Sequence, residues 1–350
     1  MPPAFISQRQ AVGFVCLVAA MLLSPVALWL VGPPSRAEVY KAVPLTAGEY
    51  PFLERQIFEE HSDLDMVFVS SSLMMAAIDA PTVQRELSRA IGREANVVVL
   101  GANWQGLDLQ YSLLRDLLDH RKARMVVMSM PIPEFTSDRP HVQAFRWLRF
   151  GDYPEVLSRL PVRSKFILYA EYVLGAPRQW LSLARPNHVD PARALSSTFG
   201  TVYQDIGYYG APFVREEREP PPIPPGIGIY SAATAGQFDF HGHPLGPYQL
   251  HFARELAGPL RRAGAWLTLL HIPVADERGM NVIPERMFWP DVIPVPMSIA
   301  GIPAGIVFAG KTPEQHYHYF FDQHMNSNGM MLFTRAITPT LVRIYEEHIH

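Results

Sequence analysis

The chain has 350 residues, 48% hydrophobic and 18% charged, with 33 prolines and a formal charge of −3. That length allows one large or two modest domains, and the composition excludes both a disulfide-stapled miniprotein and a wholly disordered chain. Thirty basic against 33 acidic residues give no global attraction to nucleic acid, and a single cysteine, Cys16, excludes an internal disulfide and a CxxC zinc site.

Residues 1–10 form a short tail ahead of 22 uncharged residues, 11–32, which as a helix extend about 33 Å. This predicts a membrane-spanning anchor. The rival reading is a secretory signal peptide, because Ser35-Arg36-Ala37 puts small residues at the −3 and −1 positions of a cleavage site. The apolar run is longer than a signal-peptide core, which favours a retained anchor. Arg9 on one side and Arg36 and Lys41 on the other leave orientation open. Residues 33–60 read as a linker.

Beyond the linker, Asp65–Val69 is an apolar run of strand formers leading into Ser70-Ser71-Ser72-Leu73. A helix follows, with Asp79 as its cap, Pro81 in its first turn, and Val83, Leu87 and Ile91 at i, i+4, i+8. Asn96–Gly101 reads as a second buried strand, Leu109 to Leu118 as a helix, and Arg124–Ser129 as a third strand. The pattern resumes with a helix over roughly 246–263, a strand Trp266–His271 and a last helix over roughly 328–347. Apolar strands without alternation, separated by amphipathic helices, predict a parallel sheet covered on both faces. Residues 61–350 are therefore expected to form one doubly wound α/β domain with an insertion at about 131–240.

The first part of the insertion, 139–185, carries eight Arg/Lys against three acids, together with Phe145, Trp147, Phe150, Phe166, Tyr169, Tyr172 and Trp180. Such a face suits an anionic membrane surface or a membrane-embedded partner; a helical subdomain with a solvated basic side is the plainer alternative. Glu219-Pro220-Pro221-Pro222-Ile223-Pro224-Pro225 further on is expected to run extended.

Open α/β sheets build their sites at the carboxyl ends of the strands. Ser72 follows the first strand, where a hydroxyl can be aimed from a turn. Gly101-Ala102-Asn103 follows the second, with a glycine for close backbone approach and an amide donor for an oxyanion. Asp322-Gln323-His324 precedes the last helix and offers a base with a carboxylate to orient it.

A strand ending in Ser-Ser-Ser-Leu, a Gly/Asn turn after the next strand, and Asp322-x-His324-x-Asn326-x-x-Gly329 before the final helix together resemble the SGNH (GDSL-like) hydrolase superfamily. More narrowly, they look like its membrane-anchored branch, which includes proteins of polysaccharide O-acetylation and teichoic acid D-alanylation. The resemblance covers about 60–130 and 245–345. It implies Ser72 as nucleophile, His324 as base, Asp322 as its acidic partner, and the region of Gly101 as part of the oxyanion site. Asn103 as a further oxyanion donor is a geometric guess. Ser70 and Ser71 replace the usual Gly-Asp of the first block, and Met130-Pro131-Ile132-Pro133 stands where a GxND motif is expected. The acid lies two residues before the histidine, as in the polysaccharide acetylation relatives, which favours transfer over hydrolysis.

The implied activity is extracytoplasmic acyl transfer to, or removal from, a glycan through an acyl-serine, with a polysaccharide acceptor and no cofactor or metal. Trp147 and Trp180 are candidates for stacking on a sugar face. A multipass membrane O-acyltransferase and membrane lipid are the implied partners, and the implied location is the periplasmic side of an inner or plasma membrane. Two rivals stand beside this reading. One is a His/Asp metal site using His241, His243, His316 and His318; the other is a non-catalytic scaffold or glycan-binding subunit of the same fold.

Overall fold

The computed structural model describes residues 7–31, 35–43, 50–102, 106–130, 158, 162, 165–166, 245–274, 277, 289–308, 319–320 and 324–349. The chain divides into two compact units, 1–43 with 142–188, and 44–141 with 189–350. Nearly all of the insertion expected at 131–240 lies outside the described residues, including Trp147, Trp180 and the proline run, as does the 241/243 histidine pair that follows it.

In the first unit, helix α1 spans Gln8–Val31 and helix α2 spans Arg36–Lys41. Ser35, the residue a signal peptidase reading would place at a cleavage site, instead caps α2: its Oγ accepts from the Glu38 amide, and the Glu38 carboxylate accepts from the Ser35 amide at 2.8 Å. Around α1, Val12, Phe14, Val15, Leu17, Leu22 and Leu23 are all exposed, and at 100° per residue they point in every direction. The expected transmembrane helix is not found: among the described residues, no helix is long and apolar enough to cross a membrane. The side chains at 25, 26, 28, 29 and 31, which belong to the run behind that expectation, lie outside the described ones.

The second unit is built on five parallel strands in the order β2-β1-β3-β4-β5. A short helix, α3 (Tyr50–Glu54), precedes them, and they are β1 Leu64–Ser71, β2 Val97–Ala102, β3 Ala123–Ser129, β4 Trp266–His271 and β5 Met297–Gly301. All eight residues of β1 and all six of β2 are buried, the pattern of strands covered on both faces. One face carries Met66, Phe68, Val97, Val99, Met125, Val127 and Leu270. Helices α4 (Ser72–Ala77) and α5 (Ala80–Ile91) and the long C-terminal helix pack there. On the other side α6 (Leu107–His120) packs on β1, and α7 (Pro247–Glu255) and α8 (Ala257–Ala263) pack on α6.

Local chemistry explains most boundaries. Asp79 accepts from the Thr82 amide at 3.2 Å to start α5, proline occupies its first turn, and Gly92 ends it at φ 70°. The helix expected over 246–263 is two helices, because Pro259 has no amide to bond the carbonyl of Glu255 and the run breaks at Leu256. Strand β5 is unheralded: Pro294 and Pro296 precede it, so its five residues read as loop, and only an edge position tolerates such flanks.

An ionic node clamps the amino end of β1. Asp65 is 3% exposed and is held by both terminal nitrogens of Arg93, by the Asn96 amide (2.9 Å) and by Tyr345 Oη (2.9 Å). Burial pushes the Asp65 carboxyl up, but these donors more than offset it and hold the group below the usual carboxylate range. Tyr345, buried and bonded to that carboxylate, is pushed up to about 12.

Candidate active site

In the order β2-β1-β3 the chain first steps to one side of β1 and then to the other, so the carboxyl end of β1 lies at a reversal of strand order. The chain leaves β1 there and turns at once into α4, with Ser71 capping through its Oγ and accepting from the Leu73 amide at 3.4 Å. Ser72 is thus the first residue of α4, buried at the carboxyl edge of the sheet with 3% exposure.

His324 reaches this hydroxyl from 252 positions away: Ser72 Oγ and His324 Nε2 are 2.8 Å apart. Helix α9 (Trp289–Val292) and helix α10 (Ala304–Val307) come between in the chain, and helix α11, Ser327–His348, follows the histidine. Three features hold the histidine in place. Phe320 and Met325 pair in an antiparallel bridge around it. Asn326 caps α11, accepting from the amides of Asn328 and Gly329 at 3.0 Å each, while its own amide donates to the Tyr319 carbonyl at 2.9 Å. Thr334 then pins α11 just downstream of Ser72, its Oγ1 donating to the Ala77 carbonyl and accepting from the Asp79 amide, both at 3.0 Å. Which of the two donates depends on the ring's tautomer; with the imidazole proton on Nδ1, Nε2 accepts from Ser72, the arrangement a general base requires.

Gly329 explains itself sterically. A Cβ there would lie 2.2 Å from the Tyr319 carbonyl oxygen and 3.0 Å from Met325 Cβ, so the histidine loop closes onto α11 only over a glycine. Gly329→Ala is expected to leave the melting transition cooperative while slowing reaction of Ser72 with a serine-directed phosphonate by at least about tenfold, because the displaced loop carries His324 with it. Unchanged labelling would show that the loop relaxes without moving the base.

Of the remaining expected site residues, Gly101 lies inside β2 opposite Ser70, and a Cβ on it would meet Met75 Cγ and Sδ at 2.1 Å. Its missing side chain gives Met75 of α4 room to pack, which helps seat the turn bearing Ser72. Asp322 and Asn103 lie outside the described residues, as do His316 and His318. Among the described residues, no group of three or more His, Cys, Asp or Glu is placed to hold a metal ion.

Two polar groupings at the same carboxyl edge carry no signal in the sequence. Ser70 Oγ and Ser129 Oγ are in direct contact across β1 and β3, and Gln110 Nε2 donates to Ser70 at 3.4 Å. At the end of β4, His271 Nε2 meets Glu277 Oε2 at 2.7 Å, both buried. A histidine ending the run Trp266–His271 is visible in sequence as a residue at a strand's carboxyl end; nothing marks Glu277 as its partner. Comparison with protein-family models and with curated proteins finds no match for this chain.

Proposed function

We propose that this chain is an SGNH-like serine acyltransferase of a doubly wound α/β fold, membrane-anchored with its catalytic domain outside the cytoplasm, that moves an acyl group, most simply acetyl, onto a glycan hydroxyl. The observation that carries the reading is the 2.8 Å contact between Ser72 Oγ and His324 Nε2 at the reversal of strand order. Ser72 Oγ attacks the acyl carbonyl as its proton passes to His324 Nε2. The intermediate collapses to an acyl-serine, and the leaving group departs with that proton. A glycan hydroxyl then gives its proton to His324 and attacks the acyl carbon, and Ser72 regains a proton as it leaves.

In this reading Asp322 orients the imidazole, and the Ser72 amide and Asn103 are the oxyanion donors, the space over Gly101 being taken by Met75. Trp147 and Trp180 stack on the acceptor sugar, and a multipass membrane O-acyltransferase supplies the acyl group. The anchor in this reading rests on the uncharged run 11–32 of the sequence.

Two measurements test the proposal. A serine-directed phosphonate should label Ser72, identified by peptide mass; failure to label any residue favours a scaffold or glycan-binding subunit, and labelling at Ser71 moves the nucleophile. An activated acetyl ester supplied with and without oligosaccharide should yield acetylated sugar at the expense of free acetate. Acetate release that no glycan diverts, with the membrane partner present, would make the protein an esterase. Full-length protein should also resist carbonate extraction from membranes; a mature chain beginning at Glu38 would replace the anchor with a cleaved signal.

A further inference from the structure

At the end of the sheet opposite the dyad, the amino ends of β3 and β4 border a cleft of about 630 Å³. Three cations from two parts of the fold line it: Lys122 just before β3 and Arg124 at its start, and Arg261 in the last turn of α8. Their charge is largely uncommitted. Among the described residues Lys122 has no carboxylate partner, and Arg261 uses its Nε on the Ala257 carbonyl (3.2 Å). Arg124 lies 3.8 Å from Asp65, whose oxygens are already engaged by Arg93, Asn96 and Tyr345.

Against these stand the carboxylate of Asp63 and the carboxyl ends of α8 and α11, each carrying about half a negative charge. A surplus of about one positive charge is left, and a cleft so charged concentrates anions. Size adds a second constraint. The cleft falls within the range of small-molecule sites, and a lone phosphate or carboxylate would fill a small part of it. Two stacked rings lie in its lining: the Trp266 indole stacks on the His348 imidazole at 3.9 Å and 12°, and its Nε1 donates to Ser298 Oγ at 3.0 Å. Aromatic rings in a lining suit the apolar face of a sugar ring.

We propose that this cleft binds a glycan through one anionic group, a carboxylate or a phosphate monoester, at a site separate from the dyad. The proposal rests on the charge, size and lining of the cleft, and it holds whether or not Ser72 carries acyl chemistry. The test is calorimetric titration of the full-length protein in detergent micelles with trigalacturonate, glucose 1-phosphate, inorganic phosphate and maltotriose. Trigalacturonate or glucose 1-phosphate should bind, and whichever binds more tightly identifies the anion.

Affinity should fall at least about tenfold in the double variant Arg124→Ala/Arg261→Ala, and also as NaCl rises from ~50 to ~500 mM. Lys122→Gln should lose affinity about threefold or more, and it decides the matter if the double variant does not fold. Arg343→Ala, an exposed arginine paired with Glu347, should bind as the parent does. Equal binding of maltotriose, no binding of either anionic sugar, or undiminished affinity in the folded variants would overturn the site. Inorganic phosphate binding as tightly as the sugars would overturn its glycan component.

Discussion

Ser72→Ala is expected to lower turnover of an activated acetyl ester by about 10³-fold or more while leaving the thermal transition within a few degrees of the parent. The magnitude follows from the proposed role: with the nucleophile gone, no acyl-enzyme would form, and what would remain is the rate enhancement that binding and oxyanion contacts supply without it. The mild effect on folding follows from the position. Ser72 begins α4, its cap is supplied by Ser71, and alanine is a good helix former, so the change removes one side-chain hydrogen bond of about 1 kcal/mol. His324→Ala should be nearly as damaging, and the double variant no worse than either single one, because the two residues act as one unit. Steady-state kinetics of the four proteins, with circular dichroism melts alongside, decides it. Additive losses, or full activity in Ser72→Ala, would refute a shared proton path.

The second large effect falls on stability. Asp65→Ala should cost about 3 kcal/mol in urea unfolding, with an unchanged midpoint ruling out any structural role for the node. The carboxylate is nearly inaccessible while the Arg93 side chain is 47% exposed, so deleting the acid strands the Asn96 amide and the Tyr345 hydroxyl rather than the guanidinium, which returns to water. Arg93→Ala should cost less, since Asn96 and Tyr345 still serve the carboxylate. The pH dependence has a definite sign. The folded pKa of Asp65 lies below its unfolded value near ~3.9, so its contribution is complete above that pH and is lost as pH falls through the lower folded value. Tyr345 behaves oppositely at the alkaline end. Its folded pKa is raised to about 12 from an unfolded value near ~10, so its contribution is whole below pH ~10 and fades as pH rises through about 12. In Tyr345→Phe the alkaline loss should shrink.

What was legible in the sequence divides along physical lines. Four strands and α5 are written locally: unbroken apolar runs announce β1 to β4, and Asp79, the early proline and Gly92 punctuate α5. β5 escaped because an edge strand needs little burial and its proline flanks mimic a loop. The approach of His324 to Ser72 was legible only through the order of blocks in a resembled family, since no local periodicity encodes a contact across 252 positions. Asp65, by contrast, looks like an ordinary residue at a strand start. Its importance depends on Arg93, Asn96 and Tyr345 arriving at one point, and that convergence belongs to the topology. Lys122, Arg124 and Arg261 read the same way, as solvated charges at element ends, until the sheet's amino edge gathers them.

The separation of Ser72 from His324 also bears on how the protein is made. At ribosomal speeds of about 5–20 residues per second, the serine emerges roughly 10–50 s before its histidine exists. The cap at Asn326 and the latch at Thr334 then bring that histidine into place only as the last helix settles on α4. A nascent chain therefore lacks the Ser72–His324 pair until residue 324 has been made. On the proposed mechanism, an acyl-enzyme forms only after α11 has been made and has docked.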